Sequence, residues 1–299
     1  MNQSTNNRNY YANTGLYFLG GSISAACGVL NGYPLDTIKT RIQSSYFLNN
    51  NFKQISSIDL IKEIYKKNGL RGFYKGIEAP IVSYSLGQTI NFGVNGNIQN
   101  YMKKQYIKNN KWNGYFDTKD LIWMGATSGF CSSLVIAPNG RIKTRLQNVK
   151  TEKGTFNYFY NDVLKKDGLF GKNGLYKGWC ATILRDVPRI SIYFTTYNKL
   201  IQNWKPFNNK DKHSPIQHFV SGALAGQFSW LIAYPFDIIK TNIQTNSEPI
   251  KIKEAFNKIY KNNGLKGFYR GYFFIWLEAM PLHGTIFYVN HLWKEHFNL

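Results

Sequence analysis

PLDTIKTRIQ, from Pro34 to Gln43, returns as PNGRIKTRLQ from Pro138 to Gln147 and as PFDIIKTNIQ from Pro235 to Gln244. Proline, basic residue and glutamine keep one order in all three copies. Downstream of each stands an aromatic–basic–glycine triplet: Tyr74-Lys75-Gly76, Tyr176-Lys177-Gly178 and Tyr269-Arg270-Gly271. Repeats of 20 to 50 residues build solenoids and propellers, so a period of roughly one hundred marks a larger unit, with room for two long helices and a loop. The chain reads as a polar tail, residues 1–14, followed by three such units at 15–112, 113–208 and 209–299.

A net charge of +21 and a pI near 9.7 would suit a nucleic-acid binder, but the charges are segregated. No Asp, Glu, Lys or Arg occurs from Tyr10 to Leu35, Ala79 to Met102, Leu121 to Gly140, or Ser214 to Phe236. Charge-free stretches of that length suit helices that cross a bilayer, which need about 20 predominantly apolar residues. Two further candidates carry charge: Val187 to Asn198 contains Arg189 and follows Arg185 and Asp186, and Tyr272 to Trp293 contains Glu278. Charges inside such segments are candidates for function. No nucleic-acid partner is expected.

Small residues four apart let helices approach closely in lipid. Gly125 with Gly129 and Gly222 with Gly226 have that spacing, and Gly21 with Ala25 is a weaker version. Between the two spans of each unit lies a short amphipathic helix. Ile55, Ile58, Leu60, Ile61 and Ile64 recur among Lys62, Lys66 and Lys67, with shorter equivalents at Phe156–Lys166 and Lys253–Lys261. The expected fold is an all-α membrane protein of six transmembrane helices in three two-helix repeats, with three surface helices and both termini on one side.

Cys27, Cys131 and Cys180 make no even framework and read as reduced packing residues. The five histidines show no metal-ligand spacing, so neither metal nor cofactor is expected. A P-loop and a nucleophile triad are equally absent from the sequence, which leaves an enzyme no chemistry to use. Neither a signal peptide nor an Arg-rich transit peptide is visible in the first fourteen residues. Glycine at a helix start leaves free amides that bind phosphate, so Lys75, Gly76, Lys177, Gly178, Arg270 and Gly271 are candidate contacts for an anionic phospholipid; a plain interfacial anchor is the alternative.

With its three prolines, paired charges and glutamines, the chain resembles the mitochondrial carrier family, and the resemblance covers almost its whole length. The full pattern of proline, acid, two bases and glutamine is met at Pro34–Gln43. Within the family it looks most like the carnitine/acylcarnitine and basic amino-acid branch, on Arg185-Asp186-Val187-Pro188, Tyr193 to Tyr197, Trp230 and Gly140 to Lys143. The resemblance implies a pseudo-threefold barrel around a central cavity in the mitochondrial inner membrane, with Pro34, Pro138 and Pro235 kinking the odd-numbered spans. It implies a cardiolipin-like lipid on the matrix side and a monomer.

The resemblance also implies two gates. In the matrix gate Asp36 meets Lys143 and Asp237 meets Lys39, braced by Gln43, Gln147 and Gln244, while Lys240 lacks its acid because Gly140 stands there. A gate short of one pair should open more easily. In the outer gate the acid and base positions are read as Gly96 and Gln99, Asn198 and Ile201, and Asn290 and Trp293. That leaves no ionic lock, only hydrogen bonds and packing, and a bias toward the outward-open state.

For the substrate, aligning the even spans on Phe92, Phe194 and Phe287 puts Ser83, Arg185 and Glu278 at one level. Arg185 would bind a carboxylate and Asp186 an amino group. Glu278 would hold a second cationic group, or pair internally with Arg185. Gln88, Tyr84, Asn91 and Trp230 are candidate wall residues. The expected function is transport by alternating access of a basic amino acid or a carnitine-like zwitterion. Alternatives are a carrier of S-adenosylmethionine or acylcarnitine, and a degenerate carrier fold acting as receptor or scaffold.

Overall fold

The computed structural model describes the backbone of residues 2–48, 57–74, 77–148, 156–170, 174–204, 213–245, 250–269 and 271–299. Side chains are described for 14–38, 61–74, 77, 80–142, 160–170, 174–204, 213–243, 250–262, 264–269 and 271–299. Lys39, Gln43, Lys75, Gly76, Lys143, Gln147, Gln244 and Arg270 lie outside that set, so their expected roles are untouched by the geometry below.

The described chain is helical throughout, without a strand. Six long helices, α1 (Asn2–Leu48), α3 (Glu78–Lys108), α4 (Thr118–Asn148), α6 (Trp179–Asn203), α7 (Pro215–Thr245) and α9 (Tyr272–His296), alternate with short ones. The short helices α2 (Ser57–Asn68), α5 (Phe156–Asp167) and α8 (Ile252–Asn263) fall where the apolar periodicity places them. α1 begins at Asn2, so the polar tail continues the first helix. No proline or glycine interrupts the backbone before Gly15.

Each long helix packs on the next, and α9 returns to α1, closing a ring in the order α1, α3, α4, α6, α7, α9. Within each unit the contact runs through the small residues. A Cβ on Gly21 would stand 2.7 Å from the Gln88 carbonyl oxygen in α3, one on Gly125 2.5 Å from Ser191 Cα in α6, and one on Gly222 2.7 Å from the His283 carbonyl oxygen in α9. Real Cβ atoms do not approach so closely, so glycine sets these interhelical distances.

Pro34, Pro138 and Pro235 lie inside α1, α4 and α7, and the helices continue past them through the motif. Proline donates no N–H to the carbonyl four residues earlier. In two units a tyrosine of the downstream triplet takes over. Tyr176 Oη donates to the Leu134 carbonyl at 3.0 Å, and Tyr269 Oη to the Leu231 carbonyl at 3.3 Å. Leu134 and Leu231 are the carbonyls that Pro138 and Pro235 leave open. Tyr74 instead stacks on Tyr33, ring centroids 6.4 Å apart.

Polarity is inverted relative to a water-soluble bundle. Ser24, Gln88, Asn91, Asn95, Ser128, Ser132, Gln227, Ser229 and Asn290 are buried, whereas Leu19, Ile23, Leu30, Val82, Trp123, Phe130, Phe228, Ile232, Phe273 and Met280 are exposed on the long helices. By length and mean hydropathy alone, Thr118–Ile142 is the described stretch that meets the requirement for crossing a membrane. The interior Asn, Gln and Ser residues lower the hydropathy of the other long helices.

Candidate functional site

The three even helices of the ring, α3, α6 and α9, meet on Phe92, Phe194 and Phe287. The rings pack edge to face, with centroids 5.2 Å (Phe92–Phe194), 5.4 Å (Phe92–Phe287) and 6.2 Å (Phe194–Phe287) apart. All three are buried, along with Ile190, Tyr193 and Ile286. Edge-to-face pairs add about 0.5–1.5 kcal/mol beyond the area they bury. In the conformation described, aromatic packing rather than ion pairing joins the three even helices at this level.

On one side of this seal lies a polar layer. Tyr193 Oη and His283 Nδ1 are 3.1 Å apart, the Asn91 amide donates to Gln88 Oε1 at 3.2 Å, and Gln88 donates to Tyr84 Oη at 3.3 Å. Gln88 is 2 % exposed and Asn91 1 %, so both wall residues belong to the interior. The charges bearing on the Tyr84 hydroxyl are those of Arg189, Glu278 and Arg185. Two of the three residues aligned at one level, Arg185 and Glu278, thus both act electrostatically on Tyr84. The third, Ser83, donates back to the Pro80 carbonyl at 3.4 Å.

The charged centre differs from the expectation in its pairing. Arg185 grips Asp186 through two parallel bonds, Nε to Oδ1 at 2.8 Å and Nη2 to Oδ2 at 2.9 Å, and its Nη1 donates to Asp237 Oδ1 in α7 at 2.7 Å. Glu278 is not the residue that fills this guanidinium. Asp237, read as a gate acid for Lys39, has Arg185 as its partner among the described residues.

Arg189, one turn further along α6, was seen in the sequence but given no role. Its Nε stands 3.5 Å from Asp186 Oδ1 without hydrogen-bond geometry, Nε and Nη1 have no acceptor among the described residues, and its guanidinium lies 5.2 Å from the Trp230 ring centre. Trp230 is thus a cation–π wall, contacting a protein cation in this conformation. The signal that could have found Arg189 is its spacing: i and i+4 residues share a helix face, so Arg185 and Arg189 point the same way.

Lys240 is buried, and the charges around it are Arg185, Asp186, Asp237 and Arg189. A Cβ on Gly140 would lie 3.5 Å from Lys240 Nζ. Gly140 thus stands beside Lys240 where the acid was expected, and the charges of Asp186 and Asp237 also act on the lysine. A loosened gate does not follow from Gly140 alone.

The register of the far gate also needs correction. Trp293 Nε1 donates to the Leu16 carbonyl at 2.9 Å and its ring covers Gly20, so it faces α1. Asn290 stands with Gly96, Gln99, Asn198 and Ile201 around a pocket beyond the seal, and His291 and Lys294 line it where Trp293 was expected. A one-residue shift on a helix turns a side chain by about 100°, enough to exchange the two faces.

At the other end, Gly178 and Gly271 open α6 and α9 in the left-handed conformation, φ 78° and 82°. Lys177 is buried, and with Lys251, Lys253, Trp179 and Ile243 it lines a cleft of about 560 Å³ between the second and third units. Cys180 lines the same cleft and is exposed, unlike the packing role read for it.

Three segments of the chain, residues 11–106, 118–207 and 211–299, match the family described as mitochondrial carrier protein. The chain belongs to the mitochondrial carrier family. As a mitochondrial carrier it is a transporter of the inner mitochondrial membrane. It is 31% identical over 290 residues to the mitochondrial magnesium exporter 1 of Drosophila melanogaster, covering 91% of each chain. It is 30% identical over 289 residues to the glutamate/glycine mitochondrial carrier ymc1 of Schizosaccharomyces pombe, covering 93% of each. It is 31% identical over 288 residues to the mitochondrial carnitine carrier of Saccharomyces cerevisiae, covering 90% of this chain and 84% of that one. The cargoes in those names are an inorganic cation, two amino acids and a zwitterion.

Proposed function

We propose that this carrier exchanges a basic amino acid or a carnitine-like zwitterion by alternating access, through a barrel of six membrane-crossing helices. The buried Arg189 guanidinium, with two nitrogens lacking acceptors beside a full Arg185–Asp186–Asp237 network, is the observation that carries it. A substrate carboxylate supplies those acceptors, and charge-assisted hydrogen bonds of this kind are worth about 1.5–3 kcal/mol each. Glu278, and Asp186 in competition with Arg185, are the carboxylates we assign to an ammonium or quaternary ammonium group. Two relatives named for amino acids and for carnitine carry cargoes of this charge pattern.

The Arg185–Asp237 bond suggests how binding drives the transition. Asp237 belongs to the repeated motif of α7, and Arg185 to the substrate level of α6. A carboxylate arriving between Arg189 and Arg185 competes with Asp237 for Nη1. The displaced Asp237 is then free for the gate partner expected at Lys39. Charge released at the centre thus becomes charge available at the gate, without a net ion left unpaired in low dielectric.

The outward apolar surface and the inward polar one support the membrane crossing, since backbone and side-chain polar groups must be satisfied internally in lipid. The cleft beside Lys177, Gly178 and Trp179 suits an anionic phospholipid: apolar walls for acyl chains, lysines, and a helix N-terminus for the phosphate.

Exchange of labelled lysine, arginine, ornithine and carnitine into preloaded proteoliposomes tests the proposal, with Glu278→Gln and Arg189→Gln alongside. Dibasic amino acids should exchange, Glu278→Gln should remove that exchange while sparing neutral zwitterions, and Arg189→Gln should weaken every carboxylate-bearing substrate. Folded protein that moves none of the four overturns the substrate class.

A further inference from the structure

Beyond the phenylalanine seal, on the side away from Arg185, lies a second polar pocket of about 220 Å³. Phe92, Phe194 and Phe287 form its floor, and its walls come from α3, α6, α7 and α9. The polar lining includes Asn95, Gln99, Asn198, Asn290, His291 and Lys294, and no Asp or Glu stands among the lining residues. Lys294 has no carboxylate within ion-pair distance among the described residues, and its Nζ lies 5.7 Å from the Tyr17 ring centre. Glu295, its chain neighbour, stands with its Oε2 3.7 Å from His291 Nε2.

A second, independent feature points to a ligand. Asn95 is 3 % exposed, its Oδ1 accepts from Gln99 Nε2 at 2.7 Å, and its Nδ2 has no acceptor among the described residues. A buried donor without an acceptor is unfavourable, and native proteins keep few of them. Among the described residues, an ammonium without counter-charge and an amide without acceptor line one cavity over an apolar floor. Both call for acceptor atoms, and the ammonium calls for negative charge on them.

We infer that this pocket binds a small oxyanion of the size and charge of inorganic phosphate, and that the bound anion locks the even-helix gate shut. The positions around it, Gly96, Asn198 and His291, hold no acid, while Lys294 keeps the base. A diffusible anion supplies the missing charge and ties Lys294 of α9 to Asn95 of α3 across the seal. The volume holds one tetrahedral oxyanion with several waters, each water needing about 30 Å³. The inference rests on the cavity geometry and not on the substrate proposal, and its test reads binding without transport.

The test is thermal unfolding of the full purified chain in detergent, titrated with sodium phosphate and with sodium chloride at matched ionic strength. Phosphate at about tenfold excess over its Kd should raise Tm by roughly 2 °C, and chloride should not. Lys294→Gln and Asn95→Ala should each abolish the rise, Lys294→Arg should retain it, and Lys103→Gln, at a lysine of α3 that lies over Trp112 and outside the lining, should leave it unchanged. An equal rise in Lys294→Gln and the unsubstituted protein would overturn the inference, as would an equal response to chloride. If Lys294→Gln does not fold, the contrast between Lys294→Arg and Asn95→Ala decides: a rise retained in Asn95→Ala refutes the site.

Discussion

Replacing Tyr176 and Tyr269 by phenylalanine removes a single oxygen from each triplet and leaves the ring. Those oxygens satisfy the carbonyls of Leu134 and Leu231, which Pro138 and Pro235 leave without a helical donor. Leu134 and Leu231 are 38 % and 41 % exposed, on a face that water does not reach in a bilayer. An unsatisfied carbonyl there should cost about 1–2 kcal/mol. With an unfolding entropy of about 2.1 cal/mol/K per residue, a chain of 299 residues loses roughly one degree of Tm for every 0.6 kcal/mol. Each substitution should therefore lower Tm by about 2–3 °C, with the 3.0 Å bond of Tyr176 worth more than the 3.3 Å bond of Tyr269. The two sites share no partner, so the double variant should show the sum. Tyr74→Phe is the internal control, because Tyr74 stacks on Tyr33 and makes no such bond. Thermal unfolding of the four variants and the unsubstituted protein in one detergent measures the series. A Tyr74→Phe loss equal to that of Tyr176→Phe would refute the reasoning, since the effect would then belong to the interfacial hydroxyl and not to the carbonyl beneath the proline.

Further outcomes follow from the same geometry. Gly226→Ala forces a methyl against the His283 ring and should destabilise by about 1–3 kcal/mol, read as a lower Tm, because α7 and α9 cannot separate without opening the seal. Gly140→Asp puts a carboxylate beside Lys240 Nζ and should slow exchange by about fivefold to tenfold, equivalent to roughly 1–1.4 kcal/mol, by holding the odd-helix gate closed. A faster exchange would show that Lys240 is not a gate residue. Asp237→Asn should raise the apparent affinity for carboxylate substrates while lowering the maximal exchange rate, since it removes the competitor for Arg185 together with the gate acid; unchanged kinetics in proteoliposomes would break the proposed link. Cys180 is exposed in the cleft beside Lys177, so its labelling by a polar maleimide should slow when anionic phospholipid is added to the detergent, and not when neutral lipid is added.

Much of the site was legible, and one lapse in register was avoidable. Counting four and seven residues on from Phe92, Phe194 and Phe287 lands on Gly96 and Gln99, Asn198 and Ile201, and His291 and Lys294. The same three phenylalanines align Ser83, Arg185 and Glu278. A count begun at Ile286 ends instead on Trp293, which faces α1, and passes over Lys294, which lines the pocket. The tyrosine bonds could not be read in the sequence, because Tyr176 and Leu134 lie 42 residues apart and only folding shows that the ring reaches the carbonyl.

The sequence by itself determined the triplicate, the positions of the long and short helices, and the small residues where helices touch. These are properties of local spacing: apolar period, charge-free length, and glycine four residues from its neighbour. Tertiary structure alone decided which charge meets which. Asp237 and Lys240 belong to the repeated motif and Asp186 and Arg189 to α6, and by sequence alone any of these bases could have paired with any of these acids. Coulomb energy falls with distance and rises as water is excluded, so pairing is fixed by ångströms and burial that a linear pattern does not hold. The ring of α1, α3, α4, α6, α7 and α9 supplied those distances. It gave Arg185 to Asp186 and Asp237, and left Arg189 with donors to offer.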